Sequence, residues 1–176
     1  MSEIIINKTM AKLLDKLKKN KFSQKNIGLK INEIIKIVKI KECFILIIGE
    51  NEIVEYNNEF IYKQFDSFSA FEDYENHIHI SDIMYYIGIK YCTLFQTLEY
   101  GLIIKNILKN NLEENFPNDK FIMVLSCDET DKINTILRFH KYREDEEELY
   151  DQDFINNFDI CENKAGYIIE KVNWNK

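Results

Sequence analysis

Proline occurs once in the 176 residues, at Pro117, and glycine five times. So sparse a supply excludes a Pro- or Gly-rich linker, and with it a string of domains on flexible hinges. Long apolar runs are missing as well: none approaches the roughly 20 residues that cross a bilayer. The opening Met1-Ser2-Glu3-Ile4-Ile5-Ile6-Asn7 has no basic start, long apolar core and small-residue cleavage site, so no signal peptide is expected. Cys43, Cys92, Cys127 and Cys161 are scattered with no close pair. The first three lie in apolar surroundings, which predicts buried reduced thiols rather than disulfides or a zinc site. The expected compartment is cytoplasmic, with no membrane partner.

Signatures of chemistry are equally scarce. There is no phosphate-cradling glycine loop and no dinucleotide fingerprint. Ser126 has no elbow glycines around it, and Cys127-Asp128 has no evident general base. No enzymatic activity, cofactor or metal is therefore expected. Lys and Arg number 23 against 30 Asp and Glu, for a formal charge of −7. That balance argues against nucleic acid, which needs a basic surface, and suits a basic partner. Solubility alone would also explain it.

What the chain does have is apolar content of 45% and aromatic content of 13%, enough for a packed core. The length fits a single globular domain over residues 1–176. The most informative stretch is Phe121–Arg143. It opens on Phe121-Ile122-Met123-Val124-Leu125, a continuous apolar run that predicts a strand buried on both faces. After a polar loop, Asp128–Lys132, the chain returns as a hairpin partner through Ile133 to Tyr142. Alternation along that strand puts Ile133, Leu137 and Phe139 inward, with Ile136, Arg138, His140 and Tyr142 on the opposite face. An acidic run, Glu144-Asp145-Glu146-Glu147-Glu148, follows directly.

Elsewhere, Met10, Leu13, Leu14 and Leu17 predict a helix with a lysine face. Ile31, Ile34, Ile35 and Val38 favour another helix, with strand as the competing assignment. Cys43–Ile48 predicts a strand closing at Gly49-Glu50-Asn51, paired with Ile53–Tyr56, and Phe60–Phe65 a third strand. Asp66 or Ser67 would cap a short helix whose Phe68, Phe71 and Tyr74 enter the core. Ser81 is expected to cap one long helix near 81–112, which Gly88 and Gly101 bend, divide or press onto the sheet. Asp151 would cap a short helix with Phe154, Ile155 and Phe158, and Gly166–Val172 would form a last strand. The fold class expected is α+β: one domain, a small mostly antiparallel sheet, and several helices packed against it.

Three constellations could carry function. His77-Ile78-His79 places two imidazoles on one face if extended, with Asp73 or His140 as a conceivable third metal ligand. Arg138, His140 and Tyr142 share a strand face and could bind a phosphate or do acid–base work, although an Arg138 ion pair across the sheet is the plainer account. The acidic run, with Tyr142, Tyr150 and Asp151 beside it, reads either as a solvated loop or as a docking surface. The partner-binding candidates are thus Arg138, His140, Tyr142, Glu144, Asp145, Glu146, Glu147, Glu148, Tyr150 and Asp151.

The compact single domain, the missing motifs and the segment ILRFHKYREDEEELYDQDF (136–154) resemble the small acidic immunity proteins of bacterial polymorphic and contact-dependent toxin systems. The resemblance implies cytoplasmic neutralisation of a cognate toxin, often a basic nuclease, by covering its active site or a nearby surface. It carries over no individual residue. The alternatives are a small hydrolase or nuclease using Arg138 and His140 with or without a metal, and a structural protein of a phage or mobile element. Oligomeric state is left open.

Overall fold

The structure is a computed structural model that describes residues 3–19, 27–50, 57–128, 135–157 and 165–174. In chain order, its first half comprises β1 (Glu3–Ile6), α1 (Lys8–Lys19), α2 (Ile27–Ile34), β2 (Ile35–Ile40), β3 (Cys43–Ile48), α3 (Asn58–Phe65) and α4 (Phe68–Glu75). The second half comprises β4 (Ile78–His79), α5 (Ile80–Tyr86), α6 (Leu94–Asn115), β5 (Phe121–Asp128), β6 (Thr135–Lys141), α7 (Gln152–Asn157) and β7 (Ala165–Val172). This is an α+β domain, with every strand pair antiparallel among the described residues.

The five-stranded sheet has the order β1-β7-β5-β6-β4, so the apolar run of β5 lies at its centre. Phe121, Ile122, Met123, Val124 and Leu125 are all buried, as a strand covered on both faces requires. One face carries Phe121, Met123, Leu125, Leu137, Phe139, Ile168 and Val172 against α1, α5 and α6. The other carries Ile122, Val124 and Ile169 beneath Tyr142, Leu149, Tyr150, Phe154 and Trp174. Leu137 and Phe139 face inward as expected; Ile133 lies outside the described residues.

A second sheet, β2 and β3, is a hairpin wedged between the main core and α3–α4. Phe44 points into the main core, while Cys43 and Ile45 pack with Ile61, Phe68 and Phe71 in a separate cluster. Two expectations are corrected here, and a third falls outside the described residues. The segment around Ile31–Val38 is half helix and half strand: α2 ends at Ile34 and β2 begins at Ile35. The partner of β3 is this preceding strand, and Ile53–Tyr56 lies outside the described residues. Phe60–Phe65 belongs to helix α3, because the Asn57 side chain accepts from Glu59 N and caps a helix instead of making a strand turn.

Ser67 does cap α4, accepting from Ala70 N, and Phe68 and Phe71 are buried; Tyr74, however, is exposed. The long helix starts later than expected. Ser81 sits inside α5, which closes with the paired bonds Ile89 N to Met84 O and Gly88 N to Tyr85 O. Gly88 supplies the φ of +91° that this closure needs. Then Thr93 and Gln96 form a reciprocal capping box and α6 runs unbroken to Asn115. Gly101 lets α6 press on the sheet, since an added Cβ would stand 3.0 Å from both Leu125 and Thr135. On the same face Glu170 of β7, buried, accepts from Lys105 and Lys109 of α6. Strand β1, not foreseen in the sequence, forms one sheet edge beside β7.

Candidate docking site

Helix α4 joins the two sheets through polar side chains on one face. Glu72 and Asn76, four residues apart and fully buried, reach the strand edges that neither sheet pairs. Asn76 accepts from Leu46 N (2.8 Å) and donates to Phe44 O (2.8 Å) and Phe139 O (3.0 Å). Glu72 accepts from Phe44 N (2.8 Å) and Lys141 N (2.6 Å). Each bond removes a backbone group that would otherwise be buried unsatisfied.

Arg143 completes this arrangement. Its Nη2 lies 2.7 Å from Glu72 Oε1 and also donates to Glu42 O, and its Nη1 donates to Ser69 Oγ and Lys141 O. Burial pushes the Glu72 carboxyl above its ordinary value, while hydrogen bonding and charge from Arg143 pull it back. Burial also works against the Arg143 charge; the Glu72 carboxylate more than offsets it and holds the guanidinium above its usual range. Nη1 also donates to Glu72 Oε2, so five oxygens surround the two terminal nitrogens and neither has a hydrogen left for an outside anion.

The acidic run begins one residue later and is fastened to α4 at both ends. Glu146 turns inward, accepting from Phe68 N (3.1 Å) and Ser69 N (2.8 Å). With Ser67 on Ala70 N, the first three N–H groups of the helix are all taken by side chains. Beyond the run, Tyr150 inserts under the sheet and donates to both oxygens of Asp73 (2.9 and 3.0 Å). On either side of Glu146, between Arg143 and Tyr150, Glu144, Asp145 and Glu147 are exposed and Glu148 is half-exposed. Among the described residues their one ion pair is Glu144, exposed, with half-exposed Lys120 at 3.8 Å. Asp151 caps α7 through Phe154 N, at 2.7 Å.

The candidates on β6 have different surroundings. His140 and Tyr150 are buried, ring against ring, with His140 Nδ1 at 3.4 Å from Asp73 Oδ1. Burial, then the Asp73 charge, pushes the Tyr150 phenol well up, so it stays protonated at neutral pH and is no nucleophile. Arg138 makes no ion pair across the sheet among the described residues; its Nη2 lies 3.3 Å from His77 Nδ1. A guanidinium only donates, so that nitrogen accepts and the His77 proton belongs on Nε2. Burial, Arg138 and His79 all lower the His77 pKa, which favours the neutral ring. His77 and His79 do stand together, ring centroids 5.0 Å apart, on and beside β4. No group of three His, Cys, Asp or Glu that could hold a metal occurs among the described residues. Tyr142 packs on Trp174, at 4.6 Å between centroids.

Residues that sequence reasoning passed over turn out to share the acidic loop's surroundings. Glu42 of the β2–β3 turn, Tyr62 of α3 and Phe68 of α4 line a cavity of about 410 Å³ with Arg143, Glu144 and Asp145. Their only local signals were the polar Glu42 between two apolar runs, Tyr62 on an expected strand that is a helix, and Phe68 as an expected core aromatic.

The architecture defines an α+β domain carrying an anchored acidic loop. The chain belongs to the Uncharacterized protein PM0498 family, whose profile matches residues 5–162. No curated protein and no solved structure matches it. No helix among the described residues is long and apolar enough to cross a membrane.

Proposed function

We propose that the protein is a non-enzymatic protein-binding module of the immunity type, which neutralises a basic partner by docking the acidic loop upon it. The observation that carries this reading is the division of labour in the loop. Arg143, Glu146 and Tyr150 are spent on holding it to α4, while Glu144, Asp145 and Glu147 are held out in solvent with almost no internal partner. A rigid loop loses little conformational freedom on docking, and its uncompensated charge accelerates encounter with a basic surface. An exposed aromatic lies next to it: Tyr62, 53% exposed, shares a cavity wall with Glu144 and Asp145. Aromatic side chains beside a charged rim are the composition of interface hot spots.

The test uses the product of the reading frame adjacent to this gene. Its expression alone should arrest growth, co-expression should restore it, and the two proteins should form a stable complex by calorimetry. The triple variant Glu144→Lys, Asp145→Lys, Glu147→Lys should slow association by about tenfold or more at low salt. A harmless or unbound product, or an on-rate indifferent to the triple variant, overturns the reading. Glu146 is left out because a lysine there would uncap α4.

A further inference from the structure

We infer that the cavity between the β2–β3 turn, α3 and the acidic loop is a receptor for one arginine side chain of the partner. This rests on the reading above and names what the loop's neighbourhood would grip.

The charges lining the cavity divide into spent and available. Both terminal nitrogens of Arg143 are taken by Glu72, Ser69 and two backbone carbonyls, and Lys141 lies 2.6 Å from Asp119. Glu146 is spent on the α4 backbone. The available groups are the carboxylates of Glu42, Glu144 and Asp145, all exposed. Among the described residues Glu42 and Asp145 have no ion pair, and the Glu144 contact with Lys120 is long and solvated. An anion entering here would meet three carboxylates beside two cations already paired, whereas a cation would meet three acceptors.

The wall selects among cations. Tyr62 stands edge-on to Phe68, centroids 4.9 Å apart, with half of its surface open. A guanidinium is planar, stacks on an aromatic face and reaches two carboxylates in a fork; an ammonium is compact and more strongly hydrated. Arg143 already uses the same chemistry from within, its guanidinium carbon lying 5.5 Å from the Phe68 ring centroid. At about 410 Å³ the cavity is at the small end of ligand sites, which span roughly 300–1,000 Å³. That suits one side chain rather than a helix or strand.

The probe is N-acetyl-arginine amide, titrated into the labelled full-length protein and followed by amide chemical shifts. N-acetyl-lysine amide and the neutral isostere N-acetyl-citrulline amide serve as comparisons. The arginine derivative should give saturating millimolar shifts at Tyr62, Phe68 and Asp145, about fivefold weaker with lysine and absent with citrulline. Tyr62→Ala and Asp145→Asn, both at exposed positions, should each weaken arginine binding about fivefold while leaving the unfolding midpoint in place. No saturation, equal shifts with citrulline, or undiminished binding in both variants overturns the assignment. If the derivative fails while the adjacent product still binds with a charge-sensitive on-rate, the cavity assignment falls and the neutralisation reading stands. If it binds while the adjacent product does not, the reverse holds.

Discussion

Replacing Glu72 by alanine should be among the most damaging single changes in this protein. The side chain has no exposed surface, and its loss strips Phe44 N, Lys141 N and the Arg143 guanidinium of an acceptor together. Breaking a buried ion pair from one side costs about 3–5 kcal/mol, because the surviving charge stays buried. Orphaning a buried backbone donor adds to that by roughly 1–3 kcal/mol before relaxation. Against a total stability of about 5–15 kcal/mol, Glu72→Ala should lower Tm by at least about 6 °C and bring the domain near unfolding. Arg143→Ala should cost a similar amount, and the double variant clearly less than the sum, since the second deletion no longer leaves a partner stranded. Urea unfolding followed by far-ultraviolet circular dichroism, with Trp174 fluorescence as a second probe, measures all three. Single losses below about 1 kcal/mol that add in the double variant would show a solvent-screened pair and refute the argument.

Glu146→Gln should cost about 1 kcal/mol and speed hydrogen exchange at the Phe68 and Ser69 amides, with Ala70, held by Ser67, unaffected. Glu170 gives a pH prediction: burial would raise its pKa, but Lys105 and Lys109 more than offset this and hold it below the ordinary 4.5. The folded state therefore binds fewer protons than the unfolded one in that range, so stability is full above about 4.5 and falls as pH drops through the folded value. Stability measured by denaturant from neutral pH downward should show this fall, and Glu170→Gln should flatten it while lowering the neutral-pH plateau. Alkylation mapped by mass spectrometry should spare Cys43, whose thiol burial and Glu72 push up to about 12, and the buried Cys127. Half-buried Cys92 should react before either, and labelling of Cys43 at the Cys92 rate would show that the α3–α4 layer opens readily.

Much of the fold was legible wherever one residue pattern admits one environment. The unbroken apolar run of β5 demanded cover on both faces, and the Met10–Leu17 spacing demanded one buried helical stripe. Where a pattern serves two structures equally, the reading failed. Ile31–Val38 satisfies a helix and a strand, and the turn to β2 depends on pairing with β3 two residues beyond. Phe60–Phe65 has strand composition, yet Asn57 caps it as a helix because α4 and β3 offer one face, filled by Ile61. The capping box Thr93–Gln96 was present in the letters but hidden inside an apolar periodicity that continued across it.

The acidic loop shows the same division. Its charge, and its placement after a core hairpin, belong to the sequence alone, because formal charge and apolar continuity need no partner to exist. Which of its carboxylates remain available was decided only in three dimensions. Glu146 and Glu147 are chemically identical neighbours, yet one lies against the N-terminus of α4 and the other in solvent. The buried Glu72 in an aromatic helix gave no sign of its role, since the backbone edges it satisfies come from β3 and β6, 28 and 69 residues away. Hydrogen-bond satisfaction is a property of what meets in space, and no local pattern encodes it.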